Sequence, residues 1–139
     1  MANAPRPLRI LVCGSRTWQD RGLIRRVLSA LPKRAEVVHG GCRGADVLAG
    51  EVAEELGLQV RSMPADWHRY GRSAGPIRNQ AMLDLKPTLV LAFATNLAES
   101  RGTKNTVDAA LARKIPVFVY DGTQYRMKPV ERDGKKEAV

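Results

Sequence analysis

Five short apolar runs alternate along this chain with four segments of helical periodicity, and this alternation limits the possible folds more than any other feature. The runs lie at 8–13, 36–39, 58–63, 88–94 and 116–120. Strands that alternate with helices form parallel sheets, because each helix carries the chain back to the edge at which the next strand begins. The pattern therefore predicts an α/β fold, a doubly wound parallel sheet of about five strands with helices on both faces.

Local signals predict where the helices begin and end. Asp20 is predicted as the N-cap of the first helix, and Gly57 lies directly after the second. Pro76 is predicted at the first position of the third helix, and Thr103 at the N-cap of the fourth. Segment 64–73 has no regular period and is predicted to be an irregular loop.

Length and composition narrow the class of protein. With 139 residues, 44% of them hydrophobic, the chain is predicted to form one globular domain at 1–120, followed by a polar tail at 121–139. The longest apolar run is too short for a membrane span and the N-terminus has no export signal, so we expect a cytoplasmic protein without a membrane partner. The two cysteines lie at or near the ends of two predicted strands and with the two histidines make no recognisable metal quartet, so no metal or other cofactor is predicted.

The formal net charge of +9 makes nucleic acid a candidate partner. The tail after Tyr120 holds five basic and four acidic residues, so nearly all of the excess lies in the domain. The charge is therefore not that of a basic terminal arm.

A glycine-rich turn joins the second predicted strand to the second helix. Gly40, Gly41 and Gly44 allow the backbone to turn sharply and to approach a ligand, and the free N–H groups at the start of a helix favour an anion. Arg43 adds N–H donors that suit a phosphate. Asp46 can act on the sugar of a nucleotide during catalysis, or it can cap N–H groups at the start of the helix. The alternative interpretation is an ordinary turn with a solvated arginine.

Arginine occurs at every junction where a predicted strand leads to a helix. The carboxyl ends of parallel strands meet at one edge of the sheet, where ligands bind. The arginines at this edge are Arg16, Arg43, Arg69, Arg72, Arg78 and Arg101. They predict a phosphate-binding edge, at which about two of them are expected to be bystanders. Arg43 and Arg78 are predicted to contact one phosphate from two neighbouring helix N-termini.

Aromatic and acidic residues fall in the same loops. Trp18 and Trp67 can stack on a nucleotide base, although the alternative is that they close the ends of the helices as structural lids. Asp46, Asp66 and Glu99 supply the carboxylates that cleavage of a nucleotide's glycosidic bond requires.

Five motifs occur in order: Gly14-Ser15-Arg16, Gly40-Gly41-Cys42-Arg43-Gly44-Ala45-Asp46, Pro64-Ala65-Asp66-Trp67, Ala74-Gly75-Pro76-Ile77-Arg78-Asn79-Gln80-Ala81-Met82 and Gly102-Thr103-Lys104-Asn105-Thr106. With them the chain resembles the YspA-like branch of the SLOG superfamily, which includes the Lonely guy proteins and DprA. The resemblance implies a Rossmann-like sheet and a nucleotide or nucleotide-derived ligand. Some relatives hydrolyse nucleoside 5′-monophosphates, but here Asn79 replaces the lysine and Thr106 the glutamate of their signatures.

Three functions remain open. The first is a nucleotide N-glycosidase, similar to the phosphoribohydrolases, with Arg78, Asp46 and Glu99 as catalytic residues. The second is a sensor that binds a nucleotide signal without turnover, and the third is a nucleic-acid-binding protein similar to DprA. The predicted ligand-binding residues are Gly14, Ser15, Arg16, Gly40, Gly41, Arg43, Gly44, Asp66, Trp67, Asn79, Arg101, Gly102, Thr103 and Thr106. The resemblance also implies a homodimer.

Overall fold

The strands form one sheet. The computed structural model of the chain describes residues 8–122 and the backbone of residues 128–129. The strands are β1 (Leu8–Gly14), β2 (Ala35–His39), β3 (Gln59–Ser62), β4 (Leu89–Phe93), β5 (Val117–Tyr120) and β6 (Lys128–Pro129). Their order is β3-β2-β1-β4-β5-β6, with the first five parallel and β6 antiparallel to β5. The five parallel strands confirm the predicted sheet.

Helices cover both faces of this sheet. They are α1 (Arg21–Ser29), α2 (Ala45–Glu55), α3 (Trp67–Tyr70), α4 (Ala74–Asp84) and α5 (Arg101–Ala112). α1 and α2 pack on one face, against Ile10 and Val12 of β1, and α4 and α5 pack on the other, against Leu11 and Cys13. Successive residues of a strand point to opposite faces, so one apolar run contributes to both layers of the core. The doubly wound arrangement is thereby confirmed.

Segment 64–73 is not an irregular loop. It holds α3 and a 3₁₀ turn at Gly71–Ser73. Asp66 caps α3, and its Oδ1 accepts a hydrogen bond from the Arg69 N–H at 3.1 Å. A helix of one turn is too short to show an apolar period, so the capping aspartate was the available signal.

Two helices begin earlier than predicted. α4 begins at Ala74, two residues before Pro76. Proline is tolerated there because the N–H groups of the first helical turn have no partner within the helix. α5 begins at Arg101 with Ser100 as the N-cap, so Thr103 lies inside the first turn and is not the N-cap.

The strand order creates a topological switch point between β1 and β4, because β1 leads to β2 on one side and β4 leads to β5 on the other. In open α/β sheets the ligand crevice lies outside the carboxyl ends of such strands. At this point the Ser15 N–H donates to Phe93 O at 2.9 Å and joins the two strand ends. The topology therefore predicts a site beside the β1–α1 turn.

No helix within residues 8–122 is long and apolar enough to cross a bilayer. The predicted tail at 121–139 lies, except for residues 121–122 and the backbone of residues 128–129, outside the described residues. The boundary between domain and tail stays a prediction.

Candidate functional site

A cavity of about 1290 Å³ opens at the carboxyl ends of β1 and β4. The residues of the predicted site that line it are Gly14, Ser15, Arg16, Asp46, Trp67, Arg78, Asn79, Glu99, Arg101, Gly102, Thr103 and Thr106. Those that do not line it are Gly40, Gly41, Arg43, Gly44 and Asp66. The structure therefore brings most of the predicted residues together at the switch point.

The N-terminus of α5 faces this cavity. Ser100 makes no side-chain cap, and Arg101, Gly102 and Thr103 of the first turn line the cavity. The N–H groups of a first turn have no partner within the helix, and together with the helix dipole they favour an anion. Thr103 is 5% exposed, and its hydroxyl has no hydrogen-bond partner within the described residues. A buried hydroxyl without a partner costs free energy, so this position suits a ligand oxygen.

The turn after β1 is held by its own hydrogen bonds. Ser15 Oγ lies 2.8 Å from Thr17 Oγ1 and accepts the Thr17 N–H at 3.1 Å. Ser15 O accepts the N–H of Ala45, the first residue of α2, at 3.1 Å. Arg16 is exposed and lines the cavity from this rigid turn. Its guanidinium is thus available to an anionic ligand.

The glycine-rich turn between β2 and α2 pairs its own N–H groups. Asp46 Oδ2 accepts the Gly40 N–H at 2.9 Å and the Cys42 N–H at 3.4 Å. His39 Nδ1 accepts the Gly41 N–H at 3.0 Å. These donors are therefore engaged by the protein and are not left for an anion.

Asp46 is buried in the cavity wall, with 5% of its surface exposed. Burial raises the pKa of its carboxyl group from 3.8 to about 6, although the N–H groups of Gly40 and Cys42 and the charge of Arg78 lower it. Burial dominates because it removes the water that stabilises the charged form. A carboxyl group that titrates near neutral pH at a cavity wall is a candidate general acid or base.

The guanidinium of Arg78 is held by protein groups. Its Nε donates to Asn79 Oδ1 at 2.9 Å, and its Nη1 donates to Gly40 O at 2.6 Å and to Met63 O at 3.5 Å. Its Nη2 contacts Cys42 Sγ at 3.7 Å. These contacts occupy most of the N–H donors of a guanidinium. Arg78 therefore brings a positive charge to the cavity, while its geometry is set by the protein.

Two glycines of the turn between β2 and α2 allow neighbouring groups to pack closely against its backbone. A Cβ atom at Gly40 would lie 2.5 Å from Arg78 Nη1. Gly44 has a φ of 81°, and a Cβ atom there would lie 2.3 Å from Ser15 O.

Arg43, in the same turn, is exposed and outside the lining of the cavity. The structure thus does not bring Arg43 to the cavity that Arg78 lines.

The two tryptophans have different environments. Trp18 is 6% exposed, its ring centroid lies 5.6 Å from that of Phe93, and its Nε1 donates to Asp20 O at 3.1 Å. Trp18 is therefore packed as a structural lid, although it also lines the cavity. Trp67 is 51% exposed and lines the cavity. An exposed aromatic face beside cationic side chains suits a nucleotide base.

The remaining catalytic candidate, Glu99, and the predicted ligand-binding residue Thr106 lie near α5. Glu99 is exposed on the cavity wall, in a 3₁₀ turn just before the helix. Thr106 is buried, and its Oγ1 donates to Gly102 O at 3.2 Å. The position predicted to align with the glutamate of the hydrolase signature thus holds a hydroxyl that is bonded within its own helix.

The cavity has further polar residues that were not predicted from the sequence, among them Thr95, Asn96 and Asn105. The first two follow β4 directly, so the switch-point rule could have found them. Asn105 Oδ1 accepts a hydrogen bond from Asn79 Nδ2 at 2.9 Å, a contact between helices that no sequence spacing indicates. Within residues 8–122, no group of three or more His, Cys, Asp or Glu side chains is placed to hold a metal ion.

Comparison with known proteins gives relatives in sequence and in fold. The solved structure of DNA processing protein A (DprA) from Streptococcus pneumoniae matches with a TM-score of 0.69 and 19% identity, over 84% of this chain and 51% of that chain. The chain thus spans about half the length of that DprA structure, and at this identity the likeness shows the fold alone.

Sequence similarity identifies the family. The gene 61 protein of Mycobacterium phage D29 is 36% identical over 119 residues, which cover 79% of this chain and 94% of the phage protein. A model of the YspA, cpYpsA-related SLOG family matches residues 8–70, from β1 to α3. With the Rossmann-like sheet and the cavity at its switch point, these similarities show that the chain belongs to the YspA, cpYpsA-related SLOG family.

Proposed function

We propose that this protein binds a nucleotide or a nucleotide-derived molecule in the cavity at the carboxyl ends of β1 and β4. The N-terminus of α5 carries the proposal. There the N–H groups of the first turn, the buried hydroxyl of Thr103 and the exposed guanidinium of Arg101 meet at one wall of the cavity. This combination of oriented donors and positive charge is the chemistry that binds phosphate.

The rest of the cavity suits the remainder of a nucleotide. Trp67 offers an exposed ring to a base, and Arg16 adds a second positive charge from the β1–α1 turn. The volume of about 1290 Å³ is larger than the roughly 300–1,000 Å³ of common small-molecule sites. The cavity therefore has room for a mononucleotide and for larger derivatives such as a dinucleotide.

Thermal-shift measurements with AMP, GMP, CMP, UMP and NAD test this proposal. A ligand that binds only the folded state raises stability by ~2.7 kcal/mol at a hundredfold excess over its Kd. We expect at least one nucleotide to raise the melting temperature. The absence of a shift with all five, together with binding of a single-stranded DNA oligonucleotide that weakens steeply with salt, would favour the nucleic-acid alternative.

Hydrolysis of the N-glycosidic bond is the second candidate, and the raised pKa of Asp46 favours it. In this reaction water adds to the ribose C1′ as the bond from C1′ to the base nitrogen breaks. Protonated Asp46 would donate its proton to the departing base, and Glu99 would accept one from the attacking water. Chromatography for free base and ribose 5-phosphate separates the candidates. Release that Asp46→Asn abolishes indicates the enzyme, and binding without release indicates the sensor.

We also infer a homodimer that forms through α4. Ile77 of α4 is 41% exposed, and Tyr70 of α3 is 40% exposed. A second copy of the chain would remove these apolar surfaces from water. Sedimentation at high micromolar concentration is expected to show a dimer, and a monomer there would contradict this inference.

A further inference from the structure

Side-chain hydrogen bonds beside the cavity run from Arg78 through Asn79 to Asn105. The guanidinium of Arg78 can only donate, and it therefore sets the direction of these bonds. A guanidinium has N–H groups but no acceptor, so the atom of Asn79 that meets Arg78 Nε at 2.9 Å must be the oxygen Oδ1. The Nδ2 group of Asn79 then donates to Asn105, which must present its own oxygen at 2.9 Å. The orientation of both amides therefore follows from Arg78.

This constraint leaves the amino group of Asn105 to the cavity. Asn79 is 4% exposed, whereas Asn105 is exposed and lines the cavity. The Oδ1 of Asn105 is engaged, and its Nδ2 has no acceptor within the described residues. An asparagine that can turn over offers a ligand either oxygen or nitrogen. Asn105 offers nitrogen, because turning it over would set two amino groups against each other.

We propose that Asn105 is a specificity-determining residue, whose Nδ2 donates a hydrogen bond to an acceptor oxygen of the bound ligand. The proposal rests on the nucleotide-binding function, since it names the chemistry that one wall of the same cavity selects. The acceptor is a phosphate oxygen or the carbonyl oxygen of a base. A ligand amino group at this point is disfavoured, because two donors that face each other in a desolvated site both remain unpaired.

The variant Asn105→Asp tests the donor. It has nearly the same shape and retains an oxygen for Asn79 Nδ2, but replaces the amino group by a second, negatively charged oxygen. Binding is measured by calorimetry with AMP, IMP, CMP and UMP, because IMP and UMP carry a carbonyl group where AMP and CMP carry an amino group. If Asn105 contacts the phosphate, the Asn105→Asp substitution weakens binding of all four nucleotides about tenfold or more. If it contacts the base, the wild type prefers IMP to AMP and UMP to CMP, and Asn105→Asp reverses both preferences. Either result supports the proposal.

Two further variants separate this role from others. Asn96→Asp places the same charge elsewhere on the cavity wall and measures the effect of charge alone, which is expected to be several times smaller. Asn105→Ala removes the donor without adding charge, and it too is expected to weaken binding.

Three outcomes are adverse. The proposal is overturned if Asn105→Asp and Asn105→Ala bind all four nucleotides like the wild type, or if Asn96→Asp weakens binding as much as Asn105→Asp. If the wild type binds only GMP or NAD, the three variants are compared with that ligand. A wild-type protein that binds neither these two nor any of the four refutes the nucleotide-binding function itself, and the role of Asn105 with it.

Discussion

Burial of the Asp46 carboxyl group is expected to make the stability of this protein depend on pH. The pKa of Asp46 rises from 3.8 to about 6 on folding, because the cavity wall shields the group from water. A difference of one pKa unit is worth ~1.4 kcal/mol, so this rise corresponds to ~3 kcal/mol of unfolding free energy. The folded state binds the proton more tightly than the unfolded state. The contribution is therefore present in full below pH ~4 and is lost as the pH rises through about 6.

Asp46→Asn isolates this effect. The amide retains an oxygen that can accept the N–H groups of Gly40 and Cys42, but it has no proton to lose. Relative to the wild type, the variant should gain about 2–2.5 kcal/mol in unfolding free energy as the pH rises from 4 to 7, because at pH 4 the unfolded carboxyl group is already more than half ionised. A charge that costs this much at neutral pH is typical of a functional site, where stability is commonly sacrificed.

Urea denaturation at pH 4, 5, 6, 7 and 8, followed by the fluorescence of buried Trp18, measures the difference. The control is Asp108→Asn, which removes an exposed carboxylate paired with Lys104. Its difference from the wild type should stay below ~1 kcal/mol. A constant difference between Asp46→Asn and the wild type over this range would refute the raised pKa. A gain by the wild type with rising pH would show that hydrogen bonds to the carboxylate outweigh its burial.

Three further predictions concern the cavity. Arg101→Ala should weaken nucleotide binding by ~1.5–3 kcal/mol in calorimetry, whereas Arg113→Ala, at the far end of α5, should leave binding unchanged. Equal losses in the two variants would mean that diffuse positive charge binds the ligand. Trp67→Ala should weaken nucleotide binding by ~1–3 kcal/mol. Because Trp67 is half-exposed, the melting temperature should change little. Unchanged affinity would exclude base stacking on Trp67. Gly40→Ala should destabilise the fold by ~1–3 kcal/mol in urea, because its Cβ would meet Arg78 at 2.5 Å; wild-type stability would show that Arg78 moves freely.

The sheet could be predicted from the sequence because its signals are local. Each parallel strand is covered on both faces and therefore stands out as an apolar run. The sequence signals for helix boundaries were equally local in two cases. Asp20 caps α1 by accepting the Leu23 N–H at 3.0 Å, and Gly57 follows α2 with a φ of 79°. In α5, by contrast, Thr103 has the residue type of an N-cap but is buried within the first turn, a choice made by packing.

The site was predicted less completely, because its geometry depends on contacts between distant segments. The convergence of Arg16, Arg78 and Arg101 on one cavity follows from the parallel topology and was foreseen. The attachment of the Arg78 guanidinium to Gly40 O and the link from Asn79 to α5 join residues far apart in the chain. Residue type and spacing carry no information on such contacts.

The N-termini of α2 and α5 show why glycine and arginine at a strand-to-helix junction do not suffice to locate an anion site. Both junctions have them, but at α2 the protein supplies acceptors: Ser15 O takes the first N–H of the helix, and the Asp46 carboxylate takes those of the preceding turn. The first turn of α5 contains no acidic residue, and the N-cap Ser100 does not cap the helix with its side chain, because its Oγ donates instead to Asn96 O at 3.3 Å. An acidic residue in the first turn competes with an anionic ligand for the same donors and the same dipole. The first turn of α5 lacks an acidic residue. This absence, more than the glycine or the arginine, makes α5 the phosphate-binding candidate.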